Sequence, residues 1–406
     1  MTEKLDVAII GGGQAGLAVS WYLSHAGIDN VVLEAGRLGE TWRTRRWDSF
    51  CFVTPNWSMK LPGGAYEGPE PDGFMPLADI LAHIEGWAKS FRAPVCEQTE
   101  VESVESDGAG GFDLATRDGV MNARTVVVAT GAYQKAHSPR GAEMIPSSVH
   151  NLLAEEYRNP GALPPGGVLI VGSAQTGCQL AEEIHEAGRN VYLACGRSPW
   201  TPRRIAGRDF VWWAAVSGFL DRSVGVLPSP AARLIGNAVA TGHGGGHDLN
   251  LRTLDDMGVE LLGRFIGAGG AKIYFADDLH ASADFGDARL RDMWKFIEKY
   301  CAAAGQTPPA FDWPPPLRVP ARTELDLERD DVKTIIWTSG YRPDYGWVKF
   351  PVVDDMGFPI QTDGVTSVPG LYFCGVHWMR KMKSSILYGV GEDAELVAQH
   401  IAENQA

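Results

Sequence analysis

Gly11, Gly13 and Gly16 stand in a G-x-G-x-x-G spacing, and Glu34 follows eighteen residues after the last of them. Residues of these types at these intervals can grip a dinucleotide. The first glycine permits a tight turn, the second lets backbone approach a pyrophosphate, and the third lets a helix pack closely on a strand. An acid at Glu34 can accept hydrogen bonds from a ribose hydroxyl, and a helix starting at the turn offers unpaired N–H groups and a positive dipole end to phosphate. Gln14 and Ala15 fill the turn and belong to the same candidate contact set.

That chemistry needs a strand, a helix and a second strand around the turn. Val7-Ala8-Ile9-Ile10 reads as a strand, the stretch to about Ala26 as a helix, and Val31-Val32-Leu33 as the next strand. The plan then recurs. Val168 to Val171 is an apolar strand, Gly172-Ser173-Ala174-Gln175-Thr176-Gly177 a second glycine turn, Cys178 to Ala187 a helix, and Asn190 to Ala194 a strand. The second copy differs in two places: Ala174 replaces the middle glycine, and its second strand ends at Cys195-Gly196-Arg197 rather than at an acid. Arg197, followed by Arg203 and Arg204, suits the 2′-phosphate of NADP better than the free ribose of NAD. A solvated basic loop is the alternative reading.

Composition bounds the rest. A 406-residue chain with 45% apolar and 21% charged residues is an ordinary globular protein, long enough for about two to three domains. A net charge of −14 argues against a broad nucleic-acid or anionic-membrane surface, so an anionic cofactor must be held by local devices. The N-terminus lacks a basic region, and no stretch approaches the length of a membrane span, which predicts a soluble, cytoplasmic protein with no membrane partner. Six scattered cysteines with no C-x-x-C predict reduced thiols and remove a redox-active disulfide from the candidate chemistries.

Along the chain, Gly39-Glu40-Thr41-Trp42 to Trp47 is loop-like and lies beside the first turn. Phe50 to Gly73, rich in Pro and Gly, is too long for an idle connector and is expected to line a site. Leu77 to Phe91 reads as an amphipathic helix. Glu100 to Val104, Gly111 to Thr116 and Thr125 to Ala129 read as strands of a small antiparallel insertion ending at Thr130-Gly131, where backbone can approach a ligand or simply turn. Ile205 to Val239 is aromatic and fits a lid, a homo-oligomer contact or plain core. His243-Gly244-Gly245-Gly246-His247 reads as a loop rather than a metal site. Val259 to Arg264, Lys272 to Phe275, a helix from Arg289 to Ala303, Val332 to Gly340, Gly370 to Gly375 and a helix from Gly391 to about Glu403 complete the pass.

Two dinucleotide turns, Gly39-Glu40-Thr41-Trp42, Ala129-Thr130-Gly131 and a Gly370-Leu371-Tyr372-Phe373-Cys374-Gly375 strand together resemble the two-dinucleotide-binding flavoproteins. Among them the chain is similar to single-component flavin monooxygenases related to flavin-containing monooxygenases, including bacterial flavoproteins labelled as cation-transport or monooxygenase proteins. The resemblance runs from about residue 5 to 402. It implies an α/β fold with two Rossmann-like domains, the NADP domain inserted in the FAD domain, divided as 1–160, 161–325 and 326–406. It places FAD against Gly11, Gly13, Gln14, Ala15, Gly16, Glu34, Trp42, Val101, Thr130, Gly131 and Gly375. It places NADPH against Gly172, Ser173, Gln175, Thr176, Gly177 and Arg197.

The implied activity is an NADPH- and dioxygen-dependent oxygenation of a small organic substrate by way of a flavin hydroperoxide. Thr54-Pro55-Asn56 matches the loop where the family carries an asparagine near the flavin, which makes Asn56 the catalytic candidate; capping of a turn beside Pro55 is the competing role. The N-terminus of the last helix is placed to stabilise negative charge on a reduced flavin. Two departures stand out: the family's F-x-G-x-x-x-H-x-x-x-(Y/F) fingerprint is not met, and Val376 follows Gly375 where many relatives carry an acid. The rival functions are an NAD(P)H dehydrogenase serving a quinone or metal acceptor and a redox-responsive accessory flavoprotein of a transport system.

Overall fold

The computed structural model describes residues 4–405. Leu5–Ile10 is the hub of the first sheet because its run Val7 to Ile10 is apolar on both faces and fully enclosed. It pairs in parallel with Asn30–Leu33 on one side and Gly119–Val128 on the other. Val95–Cys96 extends one edge, and Leu371–Phe373 returns from the far end of the chain to pair in parallel with Gly119–Val128. Phe112–Thr116 and Val101–Ser106 add an antiparallel meander. Gly119–Val128 is one ten-residue strand: its first half closes the meander and its second half enters the parallel core. The shorter strand expected at Thr125 is therefore only the apolar half of a longer one.

The second sheet is parallel throughout, in the order Glu260–Leu262, Val191–Ala194, Gly167–Val171, Val332–Trp337, His150–Leu153. His150–Leu153 and Val332–Trp337 lie outside the expected 161–325 span, yet hydrogen bonding puts both in this sheet. The chain crosses between the sheets through a short antiparallel ribbon, Lys135–Ala136 against Tyr341–Arg342. A separate antiparallel layer, Phe265–Gly269, Lys272–Phe275 and Glu324–Asp326, caps the second half.

The aromatic insertion resolves into a hairpin, Arg204–Ile205 with Arg208–Asp209, followed by the helix Phe210–Val216. Ile205, Trp213 and Leu220 pack with Met293, Trp294 and Ile297 of the helix Leu279–Ala303, so the front of the insertion is core. That helix begins ten residues before the expected start at Arg289, because Leu279, Ala283 and Gly286 continue its buried face toward the N-terminus. Among the described residues, no helix is long and apolar enough to cross a membrane.

Arg203 fastens this insertion to the first half. It is 2% exposed, ion-pairs with Asp209, and donates to the carbonyls of Val53 at 2.9 Å and Thr241 at 3.3 Å. Its guanidinium lies between the rings of Phe74 at 4.9 Å and Phe210 at 4.8 Å. Removing one partner of a buried ion pair strands the other charge. Arg203→Met is expected to lower the unfolding free energy by about 3 kcal/mol, read by chemical denaturation; a loss within error would mean that Asp209 rehydrates freely.

Candidate functional site

At the first turn Gly11 has φ 110°, and a methyl group there would lie 2.6 Å from the carbonyl oxygen of Ala129. Only glycine lets the turn sit against the strand end that leads into Thr130 and Gly131. Gly16 meets the same restriction against the carbonyl of Gly11. Gly13 faces open space, with no heavy atom within 4 Å of where its side chain would begin, and it starts the helix Gln14–His25 with no side-chain cap. The helix N–H groups are thus left for a ligand, as phosphate binding requires.

Glu34 stands at the end of Asn30–Leu33. Its Oε2 accepts from the Gly12 N–H at 2.6 Å and its Oε1 from the Gly36 N–H at 2.9 Å. A carboxylate oxygen has a second lone pair, so both remain able to accept from ribose hydroxyls. The Thr99 N–H donates to the Glu34 carbonyl at 2.8 Å, which brings the start of the Val101 strand to this end of the site. Gly375 packs against the Ala15 side chain, and Gln14 Nε2 donates to the Ser385 carbonyl at 2.8 Å, so the C-terminal loop closes over the helix start. Thr130 Oγ1 accepts from Gln134 at 2.8 Å. Trp42 lies 6.0 Å from Phe50 with the Arg46 guanidinium over both rings.

The second turn repeats this geometry. Gly172 has φ 118°, and a methyl there would lie 2.6 Å from the Thr338 carbonyl oxygen. Ala174 at φ −83°, ψ −167° matches Gly13 at φ −84°, ψ −174°, so the extra methyl costs no backbone strain. The Glu34 N–H donates to Cys96 and the Cys195 N–H to Leu262, both at 2.9 Å, which makes Cys195 the positional counterpart of Glu34. Cys195 is buried, and burial pushes its thiol up to about 12. Ser173 Oγ accepts from the Gly196 N–H at 3.1 Å, holding the loop before Arg197, whose side chain is exposed. A neutral thiol and an exposed arginine thus replace the acid.

Some expected contacts have other partners. Arg203 is committed to the insertion, and Arg204 donates to the carbonyls of Gly246 at 2.9 Å and Gly245 at 3.2 Å, which leaves Arg197 as the cation at this turn. The Gln175 side chain pairs with the Ala240 backbone, its Oε1 accepting at 3.1 Å, so that only its main chain faces a nucleotide. Asn56 is 3% exposed; its Nδ2 donates to Glu70 and its Oδ1 accepts from Met75, both at 2.8 Å. The asparagine therefore ties the two ends of the Phe50–Gly73 loop together. His247 and His243 contact Glu182 at 2.5 Å and Glu186 at 3.3 Å. Among the described residues, no three His, Cys, Asp or Glu side chains form a group that could hold a metal ion.

Tyr133, Tyr341 and His377, which cluster beside the strand ends, are not singled out by the sequence. Tyr133 is 48% exposed, with the rings of Tyr341 and His377 at 5.6 and 6.3 Å. The signal available was position: Tyr133, Tyr341 and His377 each follow within two residues of a strand-end glycine, Gly131, Gly340 or Gly375.

This geometry gives two dinucleotide-type turns of one backbone plan, the first ending on an acid and the second on a buried thiol followed by an exposed arginine. The sequence pattern of the pyridine nucleotide-disulphide oxidoreductase family matches residues 8–206. A CzcO-like oxidoreductase of uncharacterised activity from Geobacillus kaustophilus is 31% identical over 99% of both chains. Human flavin-containing monooxygenase 5 is 26% identical over 50% of this chain and 42% of its own. A flavin-containing monooxygenase from Stenotrophomonas maltophilia shares the fold over 100% of both chains, with a TM-score of 0.67 at 19% identity. The chain belongs to the CzcO-like oxidoreductases. The expected cofactors, FAD and NADPH, match the FAD and NADP of the solved OTEMO complex, which shares the fold at 15% identity and a TM-score of 0.56.

Glu34→Ala removes the acceptor of two backbone N–H groups and, if FAD occupies this turn, that of its ribose. It is expected to weaken FAD retention by about tenfold or more, measured as flavin per chain after dilution and filtration. Unchanged retention would remove Glu34 from the site.

Proposed function

We propose that the chain is a flavin monooxygenase that takes a hydride from NADPH and places one atom of dioxygen on a small organic substrate. The reaction balances as NADPH, a proton, dioxygen and substrate giving NADP⁺, water and oxygenated substrate. FAD supplies hydride acceptance and dioxygen activation when bound. The observation that carries the reading is the unequal pair of turns. Glu34 suits the unphosphorylated adenosine of a resident FAD, while Arg197, after a strand that ends on a thiol instead of an acid, suits the 2′-phosphate of NADPH.

The protein's own tasks are binding, orientation and exclusion of water. Gly13 and the helix start hold one pyrophosphate, and the corresponding N–H groups at Gln175 and Thr176 hold the other. Asn56 keeps the Phe50–Gly73 loop folded through Glu70 and Met75. At the last helix, Glu392 is neutralised by Lys381 at 3.0 Å and by Lys383, so an acidic first turn does not oppose negative charge nearby. Cys178, Cys195, Cys301 and Cys374 are buried free thiols, which favours dioxygen over a protein disulfide as the electron acceptor.

The direct test measures NADPH, dioxygen and hydrogen peroxide together during a substrate screen. True substrates are expected to lower the peroxide released per NADPH oxidised; turnover that proceeds with quinones in the absence of dioxygen, and no substrate that suppresses peroxide, would favour a dehydrogenase. Separately, Arg197→Glu is expected to raise the KM for NADPH about tenfold relative to that for NADH, the scale of one charge-assisted contact. Equal changes for both nucleotides would show that Arg197 does not read the 2′-phosphate.

A further inference from the structure

Arg43, Arg45 and Arg46 follow Trp42 in one short segment, and the first two have carboxylate partners. Arg43 ion-pairs with Glu85, and Arg45 Nη1 lies 3.5 Å from Glu155. Arg46 differs: among the described residues no Asp or Glu side chain forms an ion pair with it. Its Nη1 donates to the Arg45 carbonyl at 2.8 Å, and the rest of its N–H donors have no acceptor in the protein. Acids are not scarce in the chain, which has 50 Asp and Glu against 36 Lys and Arg, so the missing partner is a local feature.

The segment is held firmly while that guanidinium is left without a counter-ion. Arg158 Nη2 donates to the Thr44 carbonyl at 2.6 Å, and Arg45 Nη1 donates to the carbonyls of Tyr133 at 3.2 Å and Gln134 at 3.1 Å. Gln134 in turn donates to Thr130 Oγ1 at 2.8 Å, so the arginines are tied to the strand end that faces Gly11. The Arg46 guanidinium lies over the rings of Trp42 at 5.1 Å and Phe50 at 5.3 Å, which support a cation without neutralising it. Its side chain is half-buried, and burial lowers its pKa, yet a guanidinium stays charged. There is also room at this strand end. Gly131 at φ 88° and Gly340 at φ 81° face open space, with no heavy atom within 4 Å of where a side chain would begin.

We propose that Arg46 binds the carboxylate of a small organic acid, and that the substrate class of this protein is therefore anionic. The proposal deepens the oxygenation reading and rests on it for the word substrate. A charge partly withdrawn from water without a counter-ion is costly, and an anion arriving at Arg46 removes that cost. The planar fork of a guanidinium matches the two oxygens of a carboxylate, and the braced segment holds the fork in place before the ligand arrives. Nucleotide phosphates have other devices, the uncapped helix starts at the two turns and Arg197, which leaves Arg46 to the third ligand.

The test is calorimetric titration of the FAD-loaded protein with two acid and amide pairs, benzoate with benzamide and butanoate with butanamide. Wild type is expected to bind the acid of at least one pair about tenfold more tightly than its amide, the scale of one charge-assisted contact. Arg46→Met, which keeps an apolar stem over the Trp42 and Phe50 rings, is expected to lose that preference and to retain its flavin. Arg46→Lys keeps the charge without the fork and is expected to fall between the two. If the methionine variant does not fold, Arg46→Gln takes its place with the same expected loss. No preference for the acid in either pair overturns the inference, and so does a preference that survives removal of the Arg46 charge. Loss of flavin from a folded Arg46→Met or Arg46→Gln overturns it as well, because it assigns Arg46 to the phosphates of the cofactor. The titration uses no NADPH, so its failure is separate from a failure of the oxygenation reading, which the peroxide measurement reports.

Discussion

A turn of backbone pressed against a strand end, with no room for a side chain between them, is the contact on which both halves of this protein depend. At Gly11 the facing group is the Ala129 carbonyl, and at Gly172 it is the Thr338 carbonyl, each 2.6 Å from where a methyl would stand. Because both strand ends lead into the crossing ribbon, at Lys135–Ala136 and Tyr341–Arg342, the same contacts that shape the turns also fix where the chain passes from one sheet to the other. Tyr133 and Tyr341, whose rings lie 5.6 Å apart, meet beside that ribbon. Dinucleotide binding and domain connection are therefore one structural problem solved twice.

The copies differ where specificity has to be written. A protein of net charge −14 does not attract two anionic nucleotides by its overall field, so each turn must rely on helix N–H groups and on its neighbour at the end of the second strand. The first copy uses Glu34, braced by two backbone donors. The second uses a buried thiol at the same register position and an arginine two residues on. Ala174 shows how little the backbone needs to change, since its dihedral angles match those of Gly13 within a few degrees. On the proposed reading, selectivity between the copies is carried by side-chain charge on a shared backbone.

The features legible in the sequence are those whose spacing is local. The glycine turns, their strands and helices, Glu34 and the offset of Arg197 all lie within one βαβ unit, where residue separation determines geometry. The features that were not legible depend on partners far along the chain. Arg203 reads as a basic residue near a nucleotide, yet it is enclosed by Val53, Thr241 and two rings. Gln175 belongs to a turn motif but is engaged by Ala240, 65 residues away. Asn56 matches a loop pattern, and its amide joins Glu70 to Met75. The strand Val332–Trp337 was read correctly as a strand, but periodicity does not state which sheet accepts it.

The central claim is that the acid-bearing turn holds FAD and the arginine-bearing turn holds the phosphorylated nicotinamide dinucleotide. A crystal structure of the chain with both FAD and NADP⁺ tests it most directly. The account predicts the FAD ribose hydroxyls on the Glu34 carboxylate and the NADP⁺ 2′-phosphate on the Arg197 guanidinium. FAD found on the Gly172–Gly177 turn, or a 2′-phosphate far from Arg197 with the nucleotide seated elsewhere, would contradict it.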